Sequence, residues 1–256
     1  MTDDGRILRQ RCDLLRSLHV PGRPLVLPNA WDVPSATAVV AAGFPVVATS
    51  SGAVAATLGY EDHEGAPAGE MLAAAARIAR SVDVPVTVDA EAGYGMTPTD
   101  LVDALLGAGV AGCNLEDTDH STGRLADTNR RAEWLAAVRQ AAADRDYGLV
   151  INARVDVFLA DRGARPQREL VGEAVARGRA YRAAGVDCVF PIFLQEEDSI
   201  ASFVDAVEAP VNILGLPQAP SVRQLAQLGV ARVSYGSLLH GRAMEGLAAL
   251  LKELAR

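Results

Sequence analysis

The apolar positions of this chain fall into short continuous runs separated by longer stretches of helical periodicity. Eight runs, at 24–28, 45–50, 84–89, 112–116, 149–154, 188–193, 211–216 and 231–235, are rich in Val and Ile and apolar nearly throughout. Such runs read as parallel strands covered on both faces, since half-exposed strands would alternate. Ala-rich helical stretches follow them at 34–42, 68–81, 97–109, 129–143, 168–184, 199–207, 221–228 and 238–255, and an extra one at 6–18 precedes the first run. Local punctuation agrees: Pro34 lies just inside one helix and Gly43 just past it, and Gly185 closes the helix whose stripe is Leu170, Ala174, Gly178 and Tyr181. Eight strand–helix units in 256 residues predict an α/β fold, one (β/α)8 TIM barrel over residues 1–256 with an extra N-terminal helix. No Gly-rich dinucleotide fingerprint follows the first run, which argues against a doubly wound open sheet.

A barrel of this kind carries its active site at the C-terminal ends of the strands, where this chain gathers acids. The third run leads into Asp89-Ala90-Glu91-Ala92-Gly93-Tyr94-Gly95, and the fourth ends Asn114-Leu115-Glu116-Asp117. Residues two apart share a strand face, so Asp89 groups with Glu91, Asn114 with Glu116, and Asn152 with Arg154 and Asp156. Three carboxylates, Asp89, Glu91 and Glu116, then meet one guanidinium, Arg154, and the single lysine, Lys252, is near the C-terminus. Buried carboxylates are costly unless paired or bound to metal. Mg2+ or Mn2+ is therefore expected, with some carboxylates holding it through water. Arg154 at the mouth requires an anion, and its planar fork suits a substrate carboxylate.

The second run ends Thr49-Ser50-Ser51-Gly52-Ala53, whose small residues would let backbone N–H groups approach an anionic substrate; a plain tight turn fits equally well. The acidic stretch 59–64 reads, on composition, as a solvated surface loop. His19, His63, His120 and His240 offer no metal-ligand spacing. His120, after the fourth strand, is either an acid–base group or an exposed loop histidine. There is no Gly-x-Ser-x-Gly elbow, so serine hydrolysis is unsupported.

Half of the residues are hydrophobic, so a sizeable core is available, and the net charge of −8 argues against nucleic acid as a partner. No apolar run approaches the ~20 residues of a membrane span. The polar start leads into a helical pattern and not a signal peptide. Three cysteines, Cys12, Cys113 and Cys188, lack metal spacing and read as reduced thiols of a cytoplasmic protein, with Cys113 and Cys188 packed in strands.

At these residues the chain resembles the isocitrate lyase and phosphoenolpyruvate mutase superfamily. The likeness spans nearly the whole chain: Leu27-Pro28-Asn29-Ala30-Trp31-Asp32, Ser51-Gly52-Ala53, Leu58-Gly59-Tyr60-Glu61-Asp62, residues 89–95, Leu115-Glu116-Asp117, Asn152-Ala153-Arg154 and Leu214-Gly215-Leu216-Pro217. The resemblance implies that Asp89 binds Mg2+ directly and that Asp62, Glu91 and Glu116 hold it mostly through water. It implies that the Ser51, Gly52 and Ala53 backbone, with Asn152 and Arg154, binds the anionic substrate and that Arg154 and Asp62 serve catalysis; His120 joins the catalytic candidates from its place after the fourth strand, as the residue to protonate an enolate. The resemblance also implies a homo-oligomer, dimer or tetramer, whose C-terminal helix at 238–255 packs on a neighbouring subunit.

Departures from the superfamily pattern matter. The lyases' Cys-bearing loop is replaced by Thr118-Asp119-His120-Ser121-Thr122-Gly123-Arg124, Asn129 does not match the mutases' loop Asn, Thr49 stands where an aromatic is usual, and Glu91 where Asp is. The expectation is an Mg-dependent lyase that cleaves a C–C bond in a small 2-oxo acid or related dicarboxylate through a pyruvate-like enolate. Two alternatives are a P–C mutase or hydrolase acting on phosphonopyruvate, and a non-catalytic oxo-acid-binding homologue.

Overall fold

The computed structural model describes residues 3–255; Met1, Thr2 and Arg256 lie outside the described residues. The first predicted strand is split at Pro28, which has no N–H to give a ladder, into β1 (Leu25–Leu27) and β2 (Asn29–Ala30). The other strands are β3 (Val47–Thr49), β4 (Val86–Asp89), β5 (Gly112–Glu116), β6 (Thr118–Asp119), β7 (Arg124–Leu125), β8 (Val150–Val155), β9 (Cys188–Pro191), β10 (Asn212–Leu214) and β11 (Arg232–Ser234). One parallel ladder runs β2-β3-β4-β5-β8-β9 and another β1-β11-β10. The Val189–Val211 bridge joins β9 to the chain entering β10, and the continuity of β1 with β2 closes the ring. Eight parallel staves result, the predicted barrel, with β6 and β7 as a small antiparallel hairpin after β5.

The helices are α1 (Asp3–Ser17), α2 (Val33–Ala41), α3 (Ser51–Leu58), α4 (Ala68–Ser81), α5 (Pro98–Ala108), α6 (Thr128–Ala143), α7 (Val157–Asp161), α8 (Gln167–Ala183), α9 (Glu197–Val207), α10 (Val222–Gln227) and α11 (Leu238–Leu254). Two of them, α3 and α7, depart from the sequence expectation, which treats 51–53 only as a turn or cradle. The Ala-rich stretch 51–58 coils at once, started by extended Ser50 and stopped by left-handed Gly59.

α1 plugs the N-terminal end of the barrel. Its Cys12 and Leu15 are fully buried, and a Cβ on Gly112, at the start of β5, would stand 2.8 Å from Leu15 Cδ2. Further in, the lumen is polar. Asn152 Nδ2 donates to Asn114 Oδ1 (2.8 Å), Arg232 Nη2 donates to the same oxygen (3.1 Å), and Asn212 Nδ2 donates to Ser234 Oγ (3.1 Å). β11 stands opposite β5 in the ring, so buried Arg232 spans the lumen. The three cysteines are buried free thiols. Among the described residues no helix is long and apolar enough to cross a membrane. None of the residues of α11 is buried, and Met244, Leu247, Leu250, Leu251 and Leu254 are exposed along it.

Candidate active site

Asp89 ends β4 at the barrel mouth. Its backbone N–H donates to Thr49 Oγ1 (3.0 Å), so the residue that replaces the usual aromatic fixes the chain at the key acid. Asp89 Oδ2 accepts from Ser51 N (3.2 Å) and Ser51 Oγ (3.0 Å), whereas Oδ1 is buried with no partner among the described residues. Ser51 opens α3, and the first turn of a helix leaves its N–H groups without intrahelical acceptors. With Ser51 N occupied by Asp89, the Gly52 and Ala53 N–H groups are those left for an anion. A Cβ on Gly52 would lie 2.7 Å from Asp62 Oδ2 and 3.1 Å from Ser237 Oγ. Glycine there is what lets both close on the start of the helix.

Glu91 reaches the acid cluster by a different route from the one the sequence suggests. It does not continue the strand alternation of Asp89; β4 has ended and Glu91 turns with φ 49°. It is almost fully buried and accepts from the backbone N–H of Glu64. Glu64 Oε1 in turn accepts from Tyr94 N (2.6 Å). The 59–64 stretch is a surface loop as its composition reads, with Gly59, Tyr60, Glu61 and His63 exposed, but two of its acids turn inward: Glu64 is tied to the 91–94 turn, and Asp62 Oδ1 is buried and unpartnered among the described residues. Composition misses this because the bonds run between acids and backbone N–H groups of another loop. Burial pushes the Glu91 carboxyl up to about 8, the Glu64 N–H pulling down and the charges of Asp89, Asp62 and Glu116 adding to the rise.

A second group surrounds Arg154 on β8. Its Nη2 lies 2.5 Å from Glu116 Oε2, and its Nε and Nη2 donate to Asp156 Oδ1 (2.6 Å) and Oδ2 (2.8 Å). His120 Nε2 is 2.6 Å from Glu116 Oε1, so the histidine does reach the site. Burial raises Glu116 to about 7 against the pull of Arg154 and His120, and the hydrogen bond to Glu116 raises His120. Asp117 turns the other way. Its Oδ1 accepts from Asp156 N (2.8 Å), and its Oδ2 accepts from Tyr181 Oη (2.7 Å) and Arg177 Nη1 (3.1 Å). It braces Asp156 from α8. Asn152 is fully buried one layer below Arg154 and spends its Nδ2 on Asn114, beneath the mouth. His63, absent from the sequence-based candidates, stacks near His120 with ring centroids 5.6 Å apart. Its one signal is its place between Asp62 and Glu64.

The charge excess inferred from sequence is larger in the folded chain. Asp156 competes with Glu116 for Arg154, leaving Asp62, Asp89 and Glu91 with no cation paired to them among the described residues. No three His, Cys, Asp or Glu side chains of the described residues close into a direct metal cage. The fit is to an ion that keeps its waters: Asp89 Oδ1 and Asp62 Oδ1 are hard, buried, unpartnered oxygens of the kind Mg2+ prefers. A cavity of about 320 Å3 opens beside the group, lined by His63, His120, Arg124, Arg154, Asp156 and Arg162 among others. A larger one, about 560 Å3, lies between α1, α4 and α5, away from these carboxylates.

Comparison with known proteins agrees with this geometry. A family profile described as phosphoenolpyruvate phosphomutase matches residues 15–255. An uncharacterized protein of Mycobacterium tuberculosis is 36% identical over 221 residues, covering 86% of this chain and 81% of its own. The 2-methylisocitrate lyase of Bacillus subtilis is 30% identical over 196 residues, 73% of this chain and 61% of the lyase. A crystal structure of a candidate phosphonomutase from Burkholderia cenocepacia J2315 superposes with a TM-score of 0.90 at 41% identity, covering 95% of this chain and 99% of that one.

Proposed function

This chain belongs to the phosphoenolpyruvate phosphomutase family, within the superfamily of lyases and mutases that act on oxo acids and phosphonopyruvate, and from that premise we propose that it is a divalent-metal-dependent carbon–carbon lyase. Its substrate is a small 2-oxo acid or related dicarboxylate, broken by decarboxylation or retro-aldol cleavage to a pyruvate-like enolate. The observation that carries this reading is the pair of buried, unpartnered oxygens, Asp89 Oδ1 and Asp62 Oδ1, beside Glu91, a buried carboxyl with no cation paired to it among the described residues.

Asp89 would hold Mg2+ or Mn2+ directly, with Asp62, Glu91 and Glu116 behind bridging waters. The bound ion would supply Lewis-acid stabilisation of negative charge developing on the substrate oxygen. The remaining work falls to the chain. The Gly52 and Ala53 N–H groups orient the substrate carboxylate. Arg154, locked by Asp156 and Glu116, presents fixed positive charge at the reacting end. His120, bonded to Glu116, is positioned to hold or move a proton at its ring nitrogen. A decarboxylation needs no acid beside the leaving group, which suits a loop without the lyases' cysteine.

The test mixes the full chain with Mg2+ and, separately, oxaloacetate, methylisocitrate and phosphonopyruvate, and follows pyruvate. Metal-dependent pyruvate release that Asp89→Ala abolishes is expected; silence with all three, or unchanged turnover in the variant, refutes the reading. A P–C bond reaction is the second reading, favoured by the family profile and by the candidate phosphonomutase at 41% identity. Phosphorus NMR of the phosphonopyruvate reaction separates the two. The exposed apolar residues of α11 further support a homo-oligomer assembled through that helix.

A further inference from the structure

The cavity beside the acid cluster is electropositive, in a chain whose net charge is −8. Three guanidiniums, those of Arg124, Arg154 and Arg162, line it against one carboxylate, Asp156; Asp62, Asp89, Glu91 and Glu116 do not line it. Arg154 spends Nε and Nη2 on Asp156 and Glu116, which leaves only Nη1 without a bond to a described residue. Arg124 and Arg162 make no side-chain hydrogen bond or ion pair with any described residue. Both are exposed at the cavity rim, where their guanidiniums are open to an anion.

The backbone holds both in place. Arg124 is on β7, paired with Asp119 across the hairpin, and the hairpin is tied down by Gly123 N to Asp119 O (2.8 Å) and Ala126 N to Asp117 O (2.8 Å). Arg162 caps α7 with φ 54° and ψ 27°. A left-handed backbone strains any residue with a Cβ, and Gly163 beside it shares that region. Glu208 ends α9 in the same way, so the conformation is a helix stop that fixes where the Arg162 side chain departs.

We propose that Arg124 and Arg162 form a second anion subsite that takes the far acidic group of the substrate, making the preferred substrate an oxo acid charged at both ends. This rests on the oxo-acid reading above and deepens it. The near carboxylate meets the start of α3 and the acid cluster; the far group, a carboxylate or a phosphonate, spans the cavity to the two arginines. Planar guanidiniums suit either group.

The test is calorimetric binding to the full chain at saturating Mg2+, comparing wild type with an Arg124→Gln/Arg162→Gln double variant. The probes are oxalate and 2-oxobutyrate, which lack a far acidic group, and 3,3-difluorooxaloacetate and phosphonopyruvate, which carry a far carboxylate and a far phosphonate. Wild type should prefer at least one of the doubly charged acids over 2-oxobutyrate by about tenfold or more, and the variant should lose that preference while binding oxalate as wild type does. Whichever acid loses affinity identifies the far group. An Arg124→Lys/Arg162→Lys variant should recover part of it, and equal melting temperatures show that all three proteins are folded. The subsite is overturned if the preference survives in the glutamine variant, or if oxalate weakens as much as the longer acids. Failure of wild type to bind any of the four overturns the oxo-acid reading and the subsite with it.

Discussion

Replacing Glu91 by glutamine should change how the stability of the metal-free protein depends on pH. Burial lifts this carboxyl from an ordinary 4.5 to about 8. Between those values the native state keeps a proton that the unfolded chain has released, so stability falls as pH rises, by about 1.4 kcal/mol per pH unit. The loss attributable to Glu91 is absent below 4.5 and complete above about 8, and is on the order of 4–5 kcal/mol. Glutamine cannot ionise and keeps an oxygen for the Glu64 N–H. From pH 5 to pH 7.5 the variant should therefore gain about 3 kcal/mol relative to wild type. Glu116 also titrates in this range, but it does so in both proteins and largely drops out of the difference. Urea unfolding followed by circular dichroism in EDTA, at several pH values, measures the two curves. Saturating Mg2+ should cancel the variant's relative gain at pH 7.5, because it stabilises the ionised glutamate. Parallel pH curves in EDTA would refute the assignment of a buried, protonated Glu91.

Other predictions follow from single contacts. Asp117→Asn removes the charge that buried Arg177 and Tyr181 share and should destabilise the fold by about 3–5 kcal/mol, read from urea midpoints; a loss below about 1 kcal/mol would mean the network is slack. Gly52→Ala pushes a methyl into Asp62 Oδ2, so calorimetry should show Mg2+ affinity reduced by about tenfold, roughly 1.4 kcal/mol, with little change in melting temperature. If α11 mediates assembly, Leu247→Glu with Leu251→Glu should lower the mass measured by light scattering and leave the circular dichroism spectrum unchanged.

The barrel was legible because its physics is local and repetitive. Strands covered on both faces cannot alternate, so eight Val- and Ile-rich runs divided by Ala-rich helices admit few architectures. Asp89, Glu116, Arg154 and His120 were legible too, lying on or just past strand ends where the topology aims side chains at one mouth. The rest depended on loop-to-loop contacts that no periodicity encodes. Glu91 enters the site through a left-handed turn, and the exposed 59–64 loop sends Glu64 inward to bond Tyr94 and Glu91. Asn152 shares a face with Arg154 but is absorbed by Asn114, its register partner on β5. Asp156 was seen on the right face, but its grip on Arg154 appears only in the folded chain.

The oxygen of Asn114 carries a consequence beyond filling space. One atom receives Asn152 from the neighbouring stave and Arg232 from the opposite wall. Glu116 stands two residues beyond Asn114, and Arg154 two beyond Asn152. The spacing of Glu116 and Arg154 is thus moored to a single keystone in the floor, and loosening it would slacken two walls at once without touching either side chain.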